Sequence, residues 1–201
     1  NAASGTTGTL LQKTVQTPGL GIHPDFRLYL DGGVLKFDYV TIGNSTNTPG
    51  NTVRTVEYPE ATFSNADGWV HVAVSVQQTS ASQASSIHRI NMYVLKGGVE
   101  QEAFQKEDFG RIYDVAEAGD LIIGDDENAA ARLSMLVDEV RIWNTVRSAD
   151  DIAVNRAFFL TTLTDLALYF RFDDGGETAM ASGFAQKSVL EAQVASRQSA
   201  Y

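Results

Sequence analysis

Apolar and polar residues alternate along most of this chain, in short runs: TLLQKTV (9–15), FRLYL (26–30), VLKFDYV (34–40), WVHVAVSV (69–76), IHRINMYVL (87–95), DLIIG (120–124), LSMLVDEVRIW (133–143) and LALYFRF (166–172). Each is rich in Val, Ile, Leu, Tyr or Phe and is bounded by Gly, Asp, Asn, Ser or Pro, so each predicts a strand closed by a turn. Gly32-Gly33 after Asp31 predicts a tight hairpin joining the second run to the third. Two Ser/Thr/Asn/Gln-rich segments, 43–51 and 77–86, read as exposed loops or hairpin tips. One helix is expected from Ser148, whose spacing to Asp151 makes a capping pattern; Ile152, with Phe158 or Phe159, supplies an apolar stripe to cap one end of the structure. Many short strands and a single short helix imply an all-β fold, two packed antiparallel sheets forming a jelly-roll β-sandwich. The domain is expected over residues 1–175, with 176–201 as a linker or marginal helix.

Composition narrows the function classes. The chain has 201 residues, 43% of them hydrophobic, enough for one sizeable core. Fifteen basic residues against 25 acidic ones give a formal charge of −10, which repels phosphate backbones and anionic membranes, so nucleic acid is not an expected partner. Membrane insertion is not expected either, since no run approaches the roughly 18 apolar residues of a span. Asn1 opens no signal peptide, and the numbering is expected to start inside a longer precursor. The absence of cysteine removes disulfide scaffolds, thiolate zinc sites and cysteine nucleophiles.

The stretch LVDEVRIWN (136–144) poses a sharper problem. In an extended chain Leu136, Asp138, Val140 and Ile142 share one face, so the more aliphatic face carries an aspartate. Burying an unpaired carboxylate costs several kcal/mol, so Asp138 is expected to meet a metal, an arginine or backbone N–H groups. On the opposite face, Glu139 and Arg141 are expected to join Arg171 in an exposed ion network. A second candidate is the loop Asp125-Asp126-Glu127-Asn128, whose consecutive oxygen-bearing side chains suit calcium, a cation that takes six to eight oxygens. Asp125, Asp126, Asn128 and Asp138 are therefore the candidate metal ligands, and calcium is the candidate cofactor.

Catalysis finds little support. The three histidines, His23, His71 and His88, stand in no His-Glu-x-x-His or Gly-x-Ser-x-Gly context, and His71 reads as a structural residue. Sugar binding would need an exposed aromatic ring beside polar groups, for which Tyr39, Tyr58, Trp69 and Tyr113 are candidates; Trp69 and Trp143 are expected to be packed.

Several motifs together resemble a laminin-G-like, concanavalin-A-type jelly roll. WVHVAV (69–74) is similar to the family's Trp-His-His-Val-Ala-Val strand, and INMYVLKGG (90–98) to its hydrophobic-Tyr-Val-Asp-Gly strand. IIGDDENAAARLSMLVDEVRIWN followed by RSADDI is similar to its Ile-Gly-loop-Ile-Asp-Glu-Val-Arg-Ile-Trp-Asn stretch and the helix after it. LALYFRFDDGG resembles the strand that closes one unit in tandem arrays. The likeness runs from about Leu10 to Gly176 and lacks the family's aromatic-rich first strand, while Met135 stands where Gly is common.

What the resemblance implies is a lectin-like recognition or adhesion module of an extracellular or cell-surface protein, one part of a larger multidomain chain. It would bind carbohydrate or another protein. In related hydrolases an aspartate in a similar last strand contributes to a structural calcium site, which would place Asp138 there. The same hydrolases carry Glu-x-Asp-x-x-Glu on one strand, because acid and nucleophile must face each other; no such triplet occurs here, so no enzyme is expected. A structural or protein-interaction spacer with no glycan ligand is the competing reading, and a polysaccharide-cleaving enzyme with an unfamiliar site is the third.

Overall fold

A computed structural model describes residues 7–17, 21–42, 52–64, 67–79, 87–97, 99–100, 103–112, 119–124, 135–156, 158, 160, 164–172 and 179–181. They divide into two compact units, Asn1–Met135 and Leu136–Tyr201.

The first unit holds two antiparallel sheets. One is ordered β10-β1-β2-β3-β4, from Leu121–Ile123, Gly8–Thr17, Gly21–Asp31, Val34–Ile42 and Thr52–Thr62, with β9 (Arg111–Ile112) on the end of β3. The other is β5 (Val70–Gln78), β6 (Ile87–Lys96) and β7 (Val99–Glu100), with β8 (Phe104–Phe109) also on β6. Alternation decides which face each sheet buries. Leu28, Leu30, Leu35, Phe37, Tyr39, Val56 and Tyr58 from the first sheet and Ile90, Met92 and Val94 from the second form one cluster, so the sheets pack face to face as a sandwich. Tyr58 meets the edge of Phe104 at 6.4 Å across that core.

The predicted hairpin is present: Asp31 pairs with Val34, and Gly32 and Gly33 turn the chain at φ +60° and +86°. In this unit β4, β7, β8 and β9 escaped the sequence pattern, β4 and β8 being the longest of them. β4 contains Arg54, Glu57 and Pro59, and β8 contains Lys106, Glu107 and Asp108; both lie at sheet edges, where charge and proline discourage pairing with another chain. Gln77 and Gln78, read as loop, extend β5 with exposed side chains. Residues 43–51 and 80–86 lie outside the described set.

The second unit contains β11 (Val140–Trp143), β12 (Leu166–Phe170) and β13 (Ala179–Ala181) in that sheet order, and α1 (Ala149–Asn155). Leu160, Leu166 and Tyr169 make a small core against which Trp143 packs. Ser148 caps α1 as expected, its side chain accepting the Asp151 N–H. The helix buries no residue and Phe158, beyond its end, is exposed, while Phe159, the other aromatic of the expected apolar stripe, lies outside the described residues. The strand expected over 133–143 begins only at Val140, and β13 falls within the segment read as a linker or marginal helix. No described helix is long and apolar enough to cross a membrane.

Candidate functional site

Asp138 is not buried. It lies ahead of β11, exposed, with Oδ1 accepting the N–H of Glu139 at 2.9 Å. The alternation that would have carried it inward is broken at Glu139, whose φ is +54°. Among the described residues no group of three or more His, Cys, Asp or Glu could hold a metal ion, so the described part of the chain supplies Asp138 with no companion set. Asp125, Asp126 and Asn128 lie outside the described residues.

The carboxylate that does go inward is Glu139, whose partners among the described residues include Tyr169 and Arg141, the latter a member of the expected ion network. Its Oε2 accepts the hydroxyl of fully buried Tyr169 at 2.5 Å and a bond from Arg141 Nη2. Arg141 also donates from Nη1 to the Asn155 carbonyl at 2.6 Å and from Nη2 to the Phe158 carbonyl at 2.8 Å, and its guanidinium sits 5.0 Å from the centre of the Tyr169 ring. Burial, then the Glu139 bond, raises the Tyr169 hydroxyl above its ordinary range. The cluster ties the end of α1 to the antiparallel β11–β12 pair, and with Tyr169 sealed from solvent its geometry is that of a structural clamp.

Of the four aromatics considered for sugar stacking, Tyr39 and Tyr58 are core residues and Tyr113 lies outside the described set. Trp69, expected to be packed, is 61% exposed. Parity explains the difference: Val70, Val72 and Val74 pack against the core, so a residue one position before Val70 falls off that face. The turn that presents it is held firmly. Asp67 Oδ2 accepts from the Ser64 N–H at 2.7 Å, from Ser64 Oγ at 3.2 Å and from Lys96 Nζ at 3.4 Å, while the Asp67 N–H donates to the Ser64 carbonyl at 3.1 Å. Lys96 also stands 5.1 Å over the Phe63 ring. The Ser64 N–H, with help from Lys96, holds the Asp67 carboxyl below its usual range. Gly68 turns the chain at φ +67° directly before Trp69, with open space around it. Asp67-Gly68 before the tryptophan is the sequence signal for this site, legible once the parity of β5 is known.

The outward face of β2–β4 is polar and satisfied within itself. Lys36 bridges Asp31 at 2.9 Å and Glu57 at 2.8 Å, and Asp38 accepts from Tyr29 at 3.3 Å and Thr55 at 2.7 Å. Arg27 covers the Tyr29 ring at 4.3 Å, which leaves less of that ring open for stacking.

Two face-to-face antiparallel sheets of this order agree with a laminin-G-type family model, described as the concanavalin A-like lectin/glucanases superfamily, that matches residues 3–153. The chain belongs to that superfamily. No curated protein and no solved structure matches it. Membership supports a carbohydrate-binding or structural module.

Within this lectin/glucanase sandwich His88 is a staple. It is fully buried; Nδ1 lies 2.8 Å from the Gly110 carbonyl, which can only accept, so Nδ1 carries the proton. In that tautomer Nε2 accepts the Tyr39 hydroxyl at 2.8 Å, linking β6 to β3 across the core. Gly110 is fitted to this place, since a Cβ there would stand 3.3 Å from Thr41 Cβ. His71 is half-buried on β5.

Proposed function

We propose that this chain is a non-catalytic lectin-like module that binds carbohydrate, carried on an extracellular or cell-surface protein as one unit of a larger chain. The observation behind this reading is superfamily membership joined to a sequence without the Glu-x-Asp-x-x-Glu triplet that the related hydrolases carry. Calcium, structural or bridging to ligand hydroxyls, is proposed at Asp125, Asp126 and Asn128, whose side-chain oxygens suit a hard cation. Asp138 keeps Oδ2 available but brings no described companion, which makes it the weaker ligand.

A structural or protein-interaction spacer is the second reading, favoured by the self-satisfied charges on the β2–β4 face. Binding to a broad glycan and polysaccharide array, with millimolar calcium and again with chelator, separates them. Binding in both conditions supports a lectin that needs no metal, and binding lost on chelation supports the calcium-dependent form. Silence in both favours the spacer.

A further inference from the structure

We infer that Trp69 and Asp67 form the stacking platform and hydroxyl acceptor of a subsite for a neutral hexopyranose. The inference rests on the carbohydrate-binding reading above and adds the place and the chemical class of the ligand.

An exposed indole has two uses, as a face for an apolar partner or as a residue tolerated by chance. Position separates them here. Asp67, two residues before Trp69, is held by two backbone-involving bonds and one hydroxyl bond to Ser64 and by an ion pair to Lys96, so the backbone is anchored just ahead of the ring at the start of β5. A braced backbone just before the ring reduces the freedom lost on binding, which suits a stacking platform. The C–H face of a pyranose is the matching apolar surface, and it leaves equatorial hydroxyls around its rim.

Those hydroxyls need an acceptor, and Asp67, two residues before Trp69 in the chain, is a carboxylate that can serve as one. Among the described residues its bonds all fall on Oδ2, and Oδ1 takes none. The carboxylate stays ionised, since its bonds to Ser64 and Lys96 favour the charged form. An ionised acceptor pairs with hydroxyl donors and repels carboxylate or sulfate. Lys96, the nearby cation, is already committed to Asp67, and the whole chain carries −10, so sulfated and carboxylated sugars are disfavoured both at the subsite and at long range. The class is therefore neutral.

The chain holds two tryptophans, Trp69 and Trp143, so a Trp143→Phe background makes the emission report Trp69 alone. That protein is titrated with neutral glucose, galactose and mannose hexasaccharides and with a heparin hexasaccharide. At least one neutral sugar should shift the emission to the blue and shield it from acrylamide, while heparin does neither. By titration calorimetry with the neutral sugar that binds, Trp69→Ala in the otherwise unmodified chain should weaken binding about tenfold, and Trp69→Phe should restore most of it. Glycan binding that is unchanged in Trp69→Ala would overturn the inference and leave the lectin reading standing. A preference for heparin would overturn the assigned class. Failure of the unmodified chain to bind any array glycan would remove the underlying reading itself.

Discussion

The Tyr39 hydroxyl and His88 Nε2 meet at 2.8 Å in the core, the one from β3 and the other from β6, so a polar contact joins the two sheets where the surroundings are apolar. Tyr39→Phe leaves Nε2 buried without a donor and should lower stability by about 1–3 kcal/mol in denaturant unfolding. The same pair sets an alkaline limit. Burial, reinforced by the charge of Asp108, pushes the Tyr39 hydroxyl from its ordinary 10.0 up to about 12. The unfolded chain therefore ionises this group first. Its contribution is fully present below about pH 10 and is lost as pH rises toward about 12. Stability measured from pH 9 upward should fall less steeply in Tyr39→Phe than in the unmodified chain.

Arg141 has a side chain only 8% exposed and serves one carboxylate and two carbonyls. Arg141→Met strands Glu139 and the ends of those carbonyls, and the loss should be on the order of 3 kcal/mol. Hydrogen exchange should accelerate over residues 139–160 while β2, β3 and β6 keep their protection. Equal acceleration in those three strands would show that the clamp is not local.

At the β2–β3 turn, φ values of +60° and +86° exclude ordinary side chains to different degrees. Gly32→Asn should be tolerated within about 0.5 kcal/mol, because asparagine enters the left-handed region readily. Gly33→Val should cost about 1–3 kcal/mol, since a β-branched residue is strained there. Thermal melts of the two variants test the contrast.

Ser148 accepts the Asp151 N–H at 3.1 Å and opens α1. Ser148→Ala should destabilise the second unit by about 1 kcal/mol. Asp151 is held below the usual carboxylate range by the Ser148 hydroxyl and then by Arg147, so its contribution is present at neutral pH and is lost on acidification. An acid titration of helix content should therefore be shallower in Ser148→Ala.

Period-two alternation was enough to predict the sandwich, Asp31-Gly32-Gly33 the hairpin and the Ser148–Asp151 spacing the helix cap, because each depends on local residue types. β4 and β8 escaped for a physical reason: edge strands carry the charges and the proline that argue against a strand in the interior. Trp69 was assigned to the wrong side because parity along β5 depends on which valines reach the core, a tertiary fact. Asp138 and Glu139 exchanged roles because a single left-handed residue shifts the phase of everything before it, and no residue type signals that in advance. Among the proposed calcium ligands, residues 125–128 lie outside the described set.

That left-handed residue has a consequence for behaviour at high concentration. Among the described residues β11 lies at the edge of its sheet, and the apolar pattern preceding it would extend it by several residues if the chain stayed straight. Glu139 at φ +54° and Phe172 at φ +57° instead turn the chain out of the ladder near the Val140–Phe170 rung, on both strands. Leu136, 76% exposed, is thereby withheld from extended alignment. What remains on offer to a neighbouring molecule is a four-residue edge, too short to template the growth of a shared sheet, so this exposed apolar stretch is protected from aggregation by the shape of its backbone.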